Sequence, residues 1–334
     1  MNALRLLSIF LLSFAPLVAQ QPDTPQEAGK KRLFAAVYLV RGSVSGGNVG
    51  SYGVFVRQDT GWQKLTKSNV ISSAVGYTRN GTSLRYYLAA GNGIHLSTDG
   101  GAFWKIMTSW KITEVTDIVP DPEDPMVVYA SSAYGVYKST DGALTWSKHN
   151  EGMKKWYVRR VRFDVRDHST LYAVCEDDLY RSTDGGVTWK PLGVHSYQPV
   201  GFVQDPKDPA ALFVGVEDGG IHRSLDGGKT WVECTLLPDQ SMYNLAFSAD
   251  GKDLYAGGFR TGLWRSTDRG DSWERVWSDD QVEAVYSLLV DPSDPSHVVI
   301  GTNGWGVFES HDRCATWKQA GLYGGQIKDL KLMP

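Results

Sequence analysis

The chain has 334 residues, 42% of them hydrophobic, with 36 glycines, 12 tryptophans, 16 tyrosines and a formal net charge of −3. That charge gives no support to a nucleic-acid partner, which needs a basic footprint, and no run after the N-terminus approaches the roughly 18–20 apolar residues of a membrane span. The length alone suits two domains, but composition runs without a break, so one domain rich in short strands and turns is expected.

In chain order, residues 1–20, MNALRLLSIFLLSFAPLVAQ, carry one Arg, an apolar run and small residues near Ala19. They read as a secretory signal peptide, so the chain is expected to be exported to the periplasm or beyond the cell, without a stable membrane anchor. Residues 21–32 are mostly polar and read as a disordered lead-in. Residues 33–40 and 53–57 read as strands, and Asp59-Thr60-Gly61-Trp62 follows as a short turn.

From there one octapeptide organises the sequence. Ser97-Thr98-Asp99-Gly100-Gly101-Ala102-Phe103-Trp104 returns in variant form from Ser139, Ser182, Ser224, Ser266 and Ser310, at steps of 42 to 44 residues. A period near 40–45 residues marks one supersecondary unit repeated, usually a propeller blade. Its Asp accepts hydrogen bonds from the following amides, a Gly at its fifth position supplies positive φ, and the Trp folds its apolar face beneath the turn. Ala143 and Cys314 replace that Gly, so looser turns are expected there. Asp99, Trp104, Asp141, Trp146, Asp184, Trp189, Asp226, Trp231, Asp268, Trp273, Asp312 and Trp317 are read as structural. Residues 121–146 show the unit best: a strand ending at Val119, an Asp/Pro turn over 121–125, strands over 126–131 and 135–139, then a fourth strand from 145 to 148. Residues 326–332 are an orphan first strand, expected beside 33–40, which closes seven four-stranded antiparallel blades without an open edge.

Ser-x-Asp-x-Gly-x-Thr-Trp resembles the Asp-box, or bacterial neuraminidase repeat. The resemblance covers nearly all of the chain after residue 32 and implies an all-β, seven-bladed β-propeller over 33–334. Asp-boxes occur in sialidases, xyloglucan-degrading glycoside hydrolases, the sortilin ectodomain and photosystem II assembly factors, so the fold does not choose an activity. No Arg-Ile-Pro motif of the sialidase type is present, and the chain is long enough for one propeller rather than the tandem pair of the xyloglucan-degrading enzymes. Resemblance to the assembly factors implies a basic patch that holds a client, for which Lys148, Lys154, Lys155, Arg159, Arg160 and Arg162 are candidates.

Strand alternation places the Asp/Pro turns and octapeptide turns at one end of the ring, and the second-to-third turns and blade connections at the other. Loops at this second end are the expected ligand face. They carry Trp110, Tyr134, Trp156, Tyr157, Arg159, His195, Tyr197, Tyr243, Arg260, Tyr286 and Trp305, side chains suited to stacking on sugars or anchoring a peptide. Tyr157, Tyr197 and Tyr243 equally suit packing between blades. A glycoside hydrolase would need two carboxylates about 5–10 Å apart, and Glu217, Asp218, Asp279, Asp280 and Glu283 are its candidates. An Asp117–Arg160 ion pair between blades is also expected from their matching distances before the Asp turns. Cys175, Cys234 and Cys314 share no repeat position and read as structural thiols; no paired His recurs, so neither a metal nor a cofactor is expected. The reading is a monomeric, non-catalytic binding or assembly module for a protein, peptide or glycan, with a carbohydrate-active hydrolase as the alternative.

Overall fold

The computed structural model describes residues 31–40, 52–194, 198–234, 237 and 240–334, of which Arg32–Met333 form one compact unit. The expected signal segment and most of the lead-in lie outside the described residues, as do His195 and Tyr197. The architecture is all-β: seven four-stranded antiparallel sheets form a seven-bladed β-propeller. Blade 2 comprises Ser72–Asn80, Ser83–Ala90, Gly93–Ser97 and Lys105–Ile106, and blade 3 Val115–Pro120, Val128–Ser132, Gly135–Ser139 and Ser147–Lys148. Blade 4 comprises Val158–Phe163, Leu171–Cys175, Leu179–Ser182 and Lys190–Pro191, and blade 5 Pro199–Gln204, Leu212–Val216, Ile221–Ser224 and Val232–Glu233. Blade 6 comprises Asn244–Phe247, Leu254–Gly257, Leu263–Ser266 and Glu274–Trp277, and blade 7 Val285–Asp291, Asp294–Thr302, Val307–Ser310 and Lys318–Gly321.

Blade 1 is assembled from both ends of the chain. Gly325–Met333 supplies its first strand and pairs with Arg32–Val40, which pairs with Gly53–Gln58 and then Gly61–Lys64. Leu33 faces Leu332, and Val37 faces Ile327.

Period-2 alternation along each second strand fills two cores, because successive side chains leave opposite faces of the sheet. Tyr86, Leu88 and Ala90 pack with Phe34, Val54 and Val56 of blade 1, whereas Tyr87 and Ala89 pack with Val115, Ile118 and Val128 of blade 3. Leu171, Ala173 and Cys175 likewise face blade 3 while Tyr172 and Val174 face blade 5. Full burial of a Leu or Val stabilises by about 1.5–3 kcal/mol, and here that gain exists only when the neighbouring blade is present. All three cysteines are free and buried, and burial pushes the Cys234 and Cys314 thiols up to about 12.

The octapeptide turns are built from side-chain hydrogen bonds. In blade 4, the Ser182 hydroxyl donates to Asp184 Oδ1 at 2.7 Å and accepts the Gly186 amide at 2.9 Å. Thr188 donates its amide to Asp184 Oδ1 at 2.9 Å and its hydroxyl to Oδ2 at 2.6 Å. Ala143 and Cys314 do not loosen their turns: each takes φ 73°, and their amides reach Ser139 and Ser310 at 2.8 and 2.9 Å. The serine hydroxyl holds the same backbone geometry without glycine, at about 1–2 kcal/mol of left-handed strain. Trp104 stays under its own turn, bonding Gly101 O at 3.0 Å, but Trp189 and Trp231 reach across the seam to His149 O and Leu192 O of the preceding blade at 3.0 and 2.9 Å. Trp62 does the same to Ala320 O of blade 7 at 2.7 Å. Because Asp141 also holds Thr145, the fourth strand of blade 3 begins at Ser147 rather than at 145.

Deleting residues 325–334 should remove the first strand of blade 1 and lower the thermal unfolding temperature of the whole domain; unchanged unfolding would show that closure does not hold the ring. Hydrogen bonds from Thr or Ser hydroxyls hold the carboxyls of Asp141, Asp184, Asp268 and Asp312 down to about 2. Groups with depressed values stabilise the fold above their unfolded pKa and lose that contribution as pH falls through the folded value. Unfolding temperature is therefore expected to decline between about pH 4 and about pH 2; a flat profile across that window would remove these turns as stabilising elements.

Candidate binding site at the axial mouth

The start of each blade's first strand shapes the end of the ring that carries the blade connections. One residue there is skipped by the pairing register in six blades: Ser73, Thr116, Arg159, Val200, Tyr286 and Lys328 have no partner on the second strand. In blade 6, Tyr243 holds the equivalent place, immediately before the first paired residue, Asn244. A bulge leaves its extra residue unpaired and re-aims it. These seven positions, one from each blade, line a single cavity of about 470 Å³ on the propeller axis.

Four tyrosines give the cavity its apolar walls. Tyr243 and Tyr286 lie with ring centroids 5.6 Å apart, Tyr157 carries the Arg159 guanidinium 5.2 Å from its centroid, and Tyr38 joins from blade 1. Lys328 Nζ sits 3.7 Å from the Tyr286 centroid and 5.4 Å from that of Tyr38. Burial, with Arg160 nearby, lowers its ammonium to about 8.

The next residue along each first strand forms the floor, and there the polar groups are already engaged. Asp117 Oδ2 accepts Arg162 Nη1 at 2.5 Å and the Val161 amide of blade 4 at 3.3 Å. Asp329 Oδ2 accepts the Val75 amide of blade 2 at 3.0 Å, and the Ser287 hydroxyl donates to Ile327 O of blade 1 at 2.9 Å. Arg160 passes blade 5, where the matching residue is Gly201, and donates to Asn244 Oδ1 of blade 6 at 2.8 Å. Burial works to raise the Asp117 carboxyl, but Arg162, Arg160 and Lys331 overcome it and hold it below the usual range. Burial raises Asp329.

The expected Asp117–Arg160 pair is therefore replaced by Asp117–Arg162. Arg160 and Arg162, two residues apart, leave the same side of their strand; Arg162 reaches Asp117, while Arg160 extends across the axis to Asn244. The expected basic patch is divided: Arg160 lines the axial cavity and Arg162 pairs with Asp117, Lys148 lies 4.5 Å from the Trp156 ring, and Lys155 faces Glu176 at 3.9 Å.

Of the ligand-face residues read from sequence, Tyr157, Arg159, Tyr243 and Tyr286 line the cavity. Trp110, Tyr134, Trp156, Arg260 and Trp305 do not; Trp110 is 82% exposed, and Trp305 meets Tyr323 edge-on at 5.1 Å. Among the five hydrolase candidates only Glu217 lines it, 3.7 Å from Arg159. Asp218 accepts the Ser241 hydroxyl at 3.2 Å, Asp279 accepts the Gln281 amide at 2.9 Å, and Glu283 faces Asn303 at 3.5 Å. Sequence reasoning missed Tyr38, Ser73, Thr116, Val200 and Lys328. Apart from Tyr38, these recur at the repeat period, which could have found them had the bulge been known.

Likeness to solved structures is extensive but distant. The GH74 xyloglucanase from Xanthomonas campestris superposes with a TM-score of 0.63 at 17% identity, over 89% of this chain and 56% of that one. The YCF48 structure bound to D1 peptide gives 0.58 at 16% identity, over 74% and 87% of the two chains. The extracellular domain of the hybrid two component system BT4673 from B. thetaiotaomicron gives 0.64 at 14%, over 83% and 38%. Against three GH74 enzymes the chain spans 32% to 56% of their length. No family model and no curated protein sequence matches the chain. At these identities the likeness shows the seven-bladed fold. Among the described residues, no helix is long and apolar enough to cross a membrane.

Breaking the floor tests its energetics. Asp117→Ala strands the Arg162 guanidinium and is expected to cost roughly 3–5 kcal/mol of stability. Asp117→Ala and Arg162→Ala, alone and together, should couple by about 1 kcal/mol or more in urea unfolding. Additive effects would show that the contact carries no energy.

Proposed function

We propose that this chain is an exported, monomeric, non-catalytic binding propeller that takes a protein, peptide or glycan segment at the axial mouth. One observation carries the reading: a bulge-built collar places Tyr243 and Tyr286 beside Tyr157, Tyr38 and Lys328, above a floor whose carboxylates are already engaged with Arg162 and with backbone amides. Half-exposed tyrosines offer large apolar area with a polar tip at low conformational cost, which suits ligand capture. Solved neighbours support both ligand classes, since one is described as bound to a D1 peptide and another as a xyloglucanase. Export is supported by the N-terminal sequence and by the extracellular domains among those neighbours.

A hydrolase would need a second carboxylate opposite Glu217 across the cavity, and the others that line it, Asp117 and Asp329, serve the floor. The chain should be screened against plant, bacterial and host oligosaccharides and a displayed random-peptide library, with release of reducing sugar and sialic acid followed in parallel. Retention of one ligand class, weakened roughly ten-fold or more by combined Tyr243→Ala and Tyr286→Ala at unchanged unfolding temperature, is expected. Sugar release abolished by Glu217→Gln would overturn the binding reading in favour of catalysis.

A further inference from the structure

At the opposite end of the ring, blade 7 brings together two histidines that lie fourteen residues apart in sequence. Val298 pairs with Ser310 and Val299 with Glu309, so His297, within the second strand, comes opposite His311, just past the third, with Glu309 diagonal to His297. The imidazole rings stack at 4.3 Å and 11°. Both Nε2 atoms converge on one carboxylate oxygen: His297 Nε2 lies 3.7 Å and His311 Nε2 3.9 Å from Glu309 Oε2. All three ligand atoms lie within 4.8 Å of one another.

The shell around these atoms suits a cation. His297 Nδ1 faces Asp291 Oδ2 at 3.4 Å, which favours the tautomer that carries its proton on Nδ1 and presents the Nε2 lone pair to the cluster. That Nε2 is inaccessible to solvent and makes no hydrogen bond of normal length, its contact to the Glu309 carboxylate being a long one at 3.7 Å; a buried polar atom so loosely held has room for a closer partner. Tetrahedral zinc at about 2.0–2.2 Å from N and O ligands separates its donors by about 3.4 Å. The two nitrogen–oxygen spacings must contract by about 0.3–0.5 Å, and one ring must turn out of the stack so that both lone pairs meet the ion, a motion open to the exposed His311. His311 is 64% exposed, so the remaining coordination position opens to water. Arg57 Nη1 of blade 1 contacts the same Glu309 oxygen at 2.9 Å. The guanidinium opposes a cation by charge and competes for the oxygen.

We propose that His297, His311 and Glu309 form a binding site for one divalent transition metal of the zinc class, with Asp291 positioning His297 and Arg57 weakening the site. Two imidazoles and one carboxylate with an open position are the donor set that such ions take. Carboxylate-only sites for calcium or magnesium lack the nitrogen donors, which separates this site from the Asp turns around it. It lies apart from the axial mouth and does not depend on what binds there.

The test uses the untagged full chain, titrated with Zn²⁺ alone by calorimetry near neutral pH and with Co²⁺ alone by visible absorption. One equivalent should bind saturably, and Co²⁺ should give the intense bands of low coordination number. His297→Ala, His311→Ala and Glu309→Gln should each weaken binding by roughly ten-fold or more, and Asp291→Asn by a smaller factor. Arg57→Gln should tighten it, whereas His149→Ala, on another blade, should leave it unchanged. His311 is exposed, so its variant keeps the fold, and unchanged circular dichroism verifies that. Absence of saturable binding at millimolar Zn²⁺, or binding that survives both His297→Ala and His311→Ala, would overturn the site.

Discussion

A blade of this propeller has two apolar faces and no means of burying either alone. Tyr86 and Tyr87, adjacent in sequence, lie fully buried in two different cores, one shared with blade 1 and the other with blade 3. Every interface has this form, so each depends on the next around the ring, and the last must meet the first. Building blade 1 from Gly325–Met333 and Arg32–Val40 satisfies that requirement with main-chain pairing between the two ends of the described chain. Tryptophans at 62, 189 and 231 add a hydrogen bond across their seams.

Closure also fixes what the axis can present. Seven strands start around it, and an extra residue near the start of six of them turns a side chain that pairing would otherwise constrain toward the mouth. Such a collar can vary in chemistry without disturbing the sheets, because its members take no part in the ladder. Here they range from Ser73 and Val200 to Tyr286 and Lys328. One residue deeper the freedom ends, since Asp117, Ser287 and Asp329 bond the neighbouring blade and hold the ring together.

The two ends of the ring consequently carry different chemistry. Octapeptide turns consume their carboxylates internally, as Asp184 does with Thr188, whereas Asp/Pro turns hold their own amides and the neighbouring blade, as Asp121 does with the amide of Glu123 and Asp205 with Arg269. Blade 7 departs from that pattern, because His297, Glu309 and His311 form a set found nowhere else among the described residues and meet at the seam with blade 1.

By itself the sequence determined the number of blades, the turn chemistry and the pairing of first and last strands, because these follow from period, from Asx-type local bonding and from alternation of apolar residues. It also placed Tyr157, Arg159, Tyr243 and Tyr286 together at the end of the ring that carries the blade connections, since antiparallel strands leave no choice about which loops share a face. Tertiary structure alone decided which of those side chains converge. Asp117 pairs with Arg162 rather than Arg160, Trp110 and Trp305 lie outside the cavity, and of Glu217, Asp279 and Glu283 only Glu217 lines it. It likewise took the register of two strands to bring His297 opposite His311. Local pattern specifies each blade because its bonds are short-range, whereas a site on the axis is set by small displacements summed over seven blades that no single repeat encodes.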